Sequence, residues 1–185
     1  MADVTENGLR AAVKALTDVV APSIDPKDPL AREQLRLVVD YLEFVRARLD
    51  HLYARDRFEL DHHLALAEAL QELAAPGSAQ NARLLNAAIE AGSRALSAVG
   101  TDTATLKAAS AALAAAVREL IRASSGFDER VRTAIERRVL EASDAVVRFE
   151  RAWYLPMGFD PKPGEVPALA SFFPSTASSG MRRAP

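Results

Sequence analysis

The chain has no cysteine, so disulfides, thiol nucleophiles and cysteine-ligated metals are excluded, which suits a reducing compartment and makes the cytoplasm the expected location. Glycine is scarce, at eight of 185 residues, and none of it forms a Gly-x-Gly-x-x-Gly turn or a phosphate loop, so nucleotide-dependent chemistry is not expected. The Gly-x-Ser-x-Gly elbow of serine hydrolases is missing as well. Long apolar runs are absent: the alanine-rich stretch Ala108–Val117 contains Ser110 and is far shorter than the roughly 20 residues a membrane helix needs. The opening Met-Ala-Asp-Val-Thr-Glu-Asn lacks the basic and apolar regions of a signal peptide. Charge of one sign is lacking too. The net charge is −2, and acids and bases are mixed throughout, which argues against a polyanion-binding surface.

What the chain does have is helical periodicity. The expected fold is all-α: an antiparallel bundle of five or six helices over residues 1–154, followed by a proline-rich arm and tail over 155–185. Leu9, Val13, Leu16 and Val20 recur at steps of 4, 3 and 4 and predict a first helix over Thr5–Ala21. Pro22, Pro26 and Pro29 then break the pattern. Asp28 followed by Pro29 is a helix start, and Leu35, Val38, Leu42, Val45, Leu49 and Leu52 predict the seam of a second helix. The charge-dense span Tyr53–Leu60 has no proline or glycine, so either the helix continues through it or a turn capped by Asp56 separates helices 2 and 3; the turn is the expected form, because an unbroken 48-residue helix is rare in a chain this short. The third helix is expected to pack on His63, Leu66, Leu70 and Leu73 and to stop at Pro76-Gly77. The fourth runs from Ser78 to Gly100 with Leu85, Ile89, Gly92, Leu96 and Val99 inward, Gly92 marking a close helix crossing. Thr101 or Asp102 caps a fifth helix built on Leu106, Ala109, Leu113, Ala116 or Val117, and Leu120. A sixth begins near Asp128 and carries Val131, Ile135, Val139, Ala142, Val146, Phe149 and Trp153.

Candidate chemistry centres on histidine. His51, His62 and His63 fall within 13 residues, beside Asp50, Asp56, Glu59 and Asp61. Glu59-Leu60-Asp61-His62 has the Glu-x-x-His spacing of carboxylate-bridged di-iron bundles. Such a site needs a second Glu-x-x-His, and this chain has none, so only half a site shared across a dimer is open. Glu59, His62 and His63 are therefore the candidate metal or ligand residues. Against this stands the commoner role, in which His63 is a half-buried seam residue with a hydrogen-bonded partner. No cofactor is expected. The densest basic group, Arg130, Arg132, Arg137 and Arg138, is interleaved with Asp128, Glu129, Glu136 and Glu141, the pattern of a solvated salt-bridged face rather than a nucleic-acid surface.

From Leu155 the composition changes: six of the ten prolines lie in 155–185, together with Met157, Phe159, Val166, Leu169, Phe172 and Phe173. Apolar anchors on a proline-rich strand suit docking in a groove, on the chain's own bundle or on a partner. Trp153, Tyr154, Phe159, Leu169, Phe172 and Phe173 are the candidate partner-binding residues. The functional expectation is a non-catalytic interaction protein, an accessory subunit or scaffold acting through a bundle face and the arm. Its partner would be a protein or a second copy, with neither nucleic acid nor membrane involved. The alternative is a metal- or ligand-binding bundle that uses the Glu59, His62 and His63 cluster.

Overall fold

The computed structural model describes residues 4–74 and 78–173. The fold is all-α, a bundle with a short C-terminal arm and no strand among the described residues. Among the described residues six helices are longer than a single turn: α1 (Val4–Ala15), α2 (Pro29–Arg48), α3 (Leu52–Ala74), α4 (Ala79–Ser97), α5 (Thr103–Ala123) and α6 (Glu129–Tyr154). The chain divides into two compact units, Met1–Leu52 with Trp153–Val166, and Tyr53–Ala152 with Pro167–Pro185. The expected stop at Pro76-Gly77 and the end of the expected arm and tail, from residue 174 onward, lie outside the described residues.

In the first unit α1 packs against α2. After α1 the helix widens into a π turn, Leu16–Val20, in which the Ala21 N–H reaches back to the Leu16 carbonyl. One further turn, Ala21–Ser23, carries Pro22 before the chain extends at Ile24. The wide turn inserts an extra residue into the repeat. Val20, expected inward, is therefore 41% exposed, and Ala21 and Ile24 take up the half-buried positions instead. The start of α2 is as expected: the Asp28 carboxylate accepts the Ala31 N–H at 2.9 Å and Pro29 occupies the first turn. Its seam is only partly as expected. Leu35, Val39, Leu42, Val45 and Leu49 are half-buried and Phe44 is buried, whereas Val38 and Leu52 face solvent.

The turn expected at Tyr53–Leu60 does not form. The chain tightens into a single 3-10 turn at Leu49–His51 and α3 begins at the next residue, Leu52, so Asp56 lies inside a helix and caps nothing. Every residue of Tyr53–Leu60 can supply a helical backbone, and Arg55 and Glu59 pair at 2.8 Å across one turn, which favours continuation.

In the second unit four helices share one core. Leu60, Leu64, Ala67, Leu70 and Ala74 of α3 meet Leu85 and Ala95 of α4, Leu106, Leu113, Val117 and Leu120 of α5, and Ile135 of α6. The α3 line runs one residue out of phase with the expected one, leaving His63, Leu66 and Leu73 at its flank. Gly92 marks the anticipated close crossing: a Cβ there would stand 2.8 Å from Leu113 Cδ1, with Leu60 and Leu64 next nearest. Val99 is fully exposed because α4 ends at Ser97 and Gly100 turns the chain with φ +76°. Asp102 caps α5 by accepting the Thr105 N–H at 2.7 Å. The α5 and α6 seams follow the expected residues, with Phe149 among the most deeply buried side chains; Trp153, also buried, belongs to the first unit.

Beyond α6 the chain is not an extended strand. It folds into short 3-10 turns, Leu155–Met157, Pro163–Glu165 and Leu169–Phe172, each with a proline inside it or just before it (Pro156, Pro163 and Pro167) that prevents a longer helix.

Candidate functional sites

Three places combine unusual chemistry with a defined geometry. The first is the histidine pair of α3. His63 Nδ1 lies 2.7 Å from Ser110 Oγ of α5, a hydrogen bond made where Ser110 is only 7% exposed. His62 is half-buried, its ring stacked on Phe58 at 6.4 Å. Burial holds both imidazoles below the ordinary histidine range. For His62 the neighbouring His63 adds to that lowering and Asp61 opposes it; for His63, Glu59 opposes it. Glu59 itself is engaged by Arg55, which also reaches Glu150 of α6 at 3.4 Å. Burial raises the Glu150 carboxyl above its ordinary range, partly offset by Arg55.

No three histidine, aspartate or glutamate side chains converge as a metal-binding group among the described residues, Glu59, His62 and His63 included. A serine beside a histidine invites a nucleophilic reading, but Ser110 sits in mid-helix, where the neighbouring amides are spent on helical hydrogen bonds and cannot form an oxyanion hole. The contact satisfies two polar groups at the edge of a core. Ser110 falls in the same phase as Leu106, Leu113, Val117 and Leu120, and that phase is the signal by which the sequence could have exposed it as His63's partner.

The second place is a cleft of about 580 Å³ in the same unit, lined by Tyr53, Ala54, Arg57, Phe58, Asp61, Leu96, Phe172 and Phe173. Its aromatic wall is assembled from distant stretches. Phe58 of α3 stacks on Phe149 of α6 with centroids 4.0 Å apart, and Phe172 meets both rings edge-on at 5.9 and 5.5 Å. Phe173 adds a second edge contact to Phe149 at 6.2 Å. Arg57 is half-buried and donates from Nη2 to the Leu96 carbonyl at 3.2 Å, near the C-terminal end of α4. Sequence reading singled out neither Arg57 nor Phe58; nothing local marks them, since the cleft exists only once the arm returns.

The third place is the outer face of α2 in the first unit. Leu30, Leu37, Val38 and Tyr41 are 68, 38, 48 and 57% exposed and recur at helical spacing. Tyr41 leads to Phe44, whose ring stacks on Tyr154 at 5.5 Å, and Tyr154 is itself 46% exposed. Arg48 ties this end together. Its Nε donates to the Trp153 carbonyl at 2.8 Å, and its guanidinium lies 5.5 and 5.9 Å from the Trp153 and Phe44 ring centroids. Burial pulls the Arg48 guanidinium below its ordinary range, though that range is so high that the charge persists.

The six candidate partner residues thus divide. Trp153 is buried, Phe172 and Phe173 are half-buried in the aromatic cluster, and Leu169 is half-buried. Tyr154 and Phe159 remain exposed, Phe159 at 75%. No described helix is long and apolar enough to cross a membrane. Comparison of the chain with protein-family models, with curated proteins and with solved structures finds no match.

Proposed function

We propose that this protein is a non-catalytic interaction module that associates with a second copy of itself through the outer face of α2. The observation that carries the reading is the row Leu30, Leu37, Val38 and Tyr41, four large apolar side chains exposed on one 20-residue helix. Scattered apolar residues are normal on protein surfaces, but Leu30, Leu37 and Tyr41 share one face of the helix, with Gln34 between them and Val38 to one side, and a shared apolar face suits an interface. Tyrosine is also among the residue types that dominate interface energetics; Tyr41 belongs to this stripe, and Tyr154 follows beyond Phe44.

The charges on α2 favour a second copy over a strongly charged partner. Arg36 pairs with Glu33 at 2.6 Å and with Asp40 at 2.7 Å, and Arg46 with Glu43 at 2.6 Å. A face whose charges cancel locally presents no like-charge block to its own two-fold image. Two α1–α2 pairs brought together along this stripe would complete a four-helix arrangement and cover what a single pair leaves wet. Of the arm residues, Tyr154 and Phe159 are the ones free to contribute.

Analytical ultracentrifugation from nanomolar to high-micromolar concentration tests the reading. The full chain is expected to dimerise, and Leu37→Glu or Tyr41→Glu is expected to shift it to monomer while helicity by circular dichroism is unchanged. A wild-type chain that stays monomeric throughout, or a dimer indifferent to both substitutions, overturns it.

A further inference from the structure

The α3–α4–arm cleft is independent of the α2 face and has the features of a small-molecule site. Its volume of about 580 Å³ falls within the roughly 300–1,000 Å³ usual for small-molecule pockets. The lining is mostly apolar, with a few polar groups in fixed places, again the usual make-up. Phe58, Phe172 and Phe173 give it ring surfaces, and Phe58 and Phe172 are held at right angles by their contacts with one another.

The polar groups say what it would take. Arg57 is half-buried and oriented by its bond to the Leu96 carbonyl, yet a guanidinium has five N–H donors and that bond uses one. A fixed guanidinium beside aromatic walls recruits a carboxylate or sulfonate attached to a ring system, because the charge-assisted bonds are strongest where water is partly displaced. Asp61 lines the same cleft but is exposed to solvent, where water screens its carboxylate, and Arg57 supplies the positive charge of the lining. We infer that this cleft binds an aromatic anion, its rings against Phe172 and Phe173 and its acid group on Arg57.

The probe is 1-anilinonaphthalene-8-sulfonate, an aromatic sulfonate, titrated by fluorescence into the full chain and into Tyr41→Glu, which removes the α2 face as a rival dye site. Saturable one-to-one binding is expected in both. Arg57→Gln is expected to weaken it by about tenfold, and Ala54→Trp, which fills the cleft, to abolish it. 2-Naphthoate should displace the dye far better than neutral 2-naphthamide. Thermal melting by circular dichroism checks that each variant folds; if Ala54→Trp does not, Arg57→Gln and the naphthoate pair still decide. Non-saturable binding, binding untouched by Arg57→Gln, or equal displacement by acid and amide overturns the inference.

Discussion

The two units are built from the same 3–4 apolar spacing and end up with different interiors. In the second unit α3, α4, α5 and α6 each contribute to one cluster, and seven of its leucines and isoleucines (Leu60, Leu70, Leu85, Leu106, Leu113, Leu120 and Ile135) are at most 1% exposed. In the first, α1 buries no residue fully and α2 buries only Phe44. Two helices cannot enclose a core, because each apolar stripe meets a single neighbour and keeps one edge in water. The difference teaches that periodicity states which face of a helix is apolar and is silent on how many partners will cover it. Where four helices converge the face becomes a core; where two meet, part of it stays available for binding.

The largest test of that contrast is truncation. Leu60→Ala, in the four-helix core, is expected to cost about 2–5 kcal/mol in urea unfolding. Leu35→Ala, in the half-buried α2 seam, is expected to cost less than about 1 kcal/mol, since little apolar surface is withdrawn from water there. Equal losses would break the comparison.

A smaller effect probes how tightly the second unit is packed. Gly92→Ala places a methyl 2.8 Å from Leu113 Cδ1. Helix propensity favours alanine by up to about 1 kcal/mol, but overpacking costs about 1–3 kcal/mol, so a net loss of about 1 kcal/mol is expected. In a Leu113→Ala background the clash is gone and the same substitution should stabilise. A sign that does not reverse would mean that the crossing is looser than its geometry. Gly8, by contrast, has open space where a Cβ would sit, so Gly8→Ala in the first unit should be neutral or mildly stabilising.

The smallest effect is acid sensitivity. Burial lowers both His62 and His63, so below about pH 6.5, the ordinary histidine value, the unfolded chain binds protons that the folded chain resists. Their contribution to stability is therefore full above that pH and declines as pH falls through it towards their folded values. Hydrogen exchange on either side of about pH 6.5 should show faster opening at acid pH around α3 and α5, and His62→Gln with His63→Gln should flatten that dependence. An unchanged slope in the double variant would assign the sensitivity to other groups.

How far the sites were legible in the sequence follows the same logic. His63 was readable as a half-buried residue with a polar partner because its spacing to Leu66, Leu70 and Leu73 is local information, although it was expected in the seam and lies at its flank. The identity of that partner, Ser110, lies 47 residues away and depended on how α5 packs. The aromatic residues of the arm stood out by composition, but their destinations did not: Phe172 and Phe173 return to Phe149, whereas Phe159 faces solvent. Arg57 and Arg48 carried no signal, since each matters through a backbone carbonyl that the fold alone brings near.

The sequence by itself determined the all-α class, the cap at Asp28, a start of α5 at Thr101 or Asp102, and the end of helix near Leu155. All of these rest on interactions between residues within a few positions of one another or on backbone chemistry that a single residue type imposes. Only the tertiary structure decided that Asp56 would lie inside a helix, that the π turn would rotate Val20 outward, that one apolar stripe would be buried and another left exposed, and that the arm would complete an aromatic cleft. Those outcomes depend on which distant surfaces meet, and burial is a property of the meeting rather than of either surface.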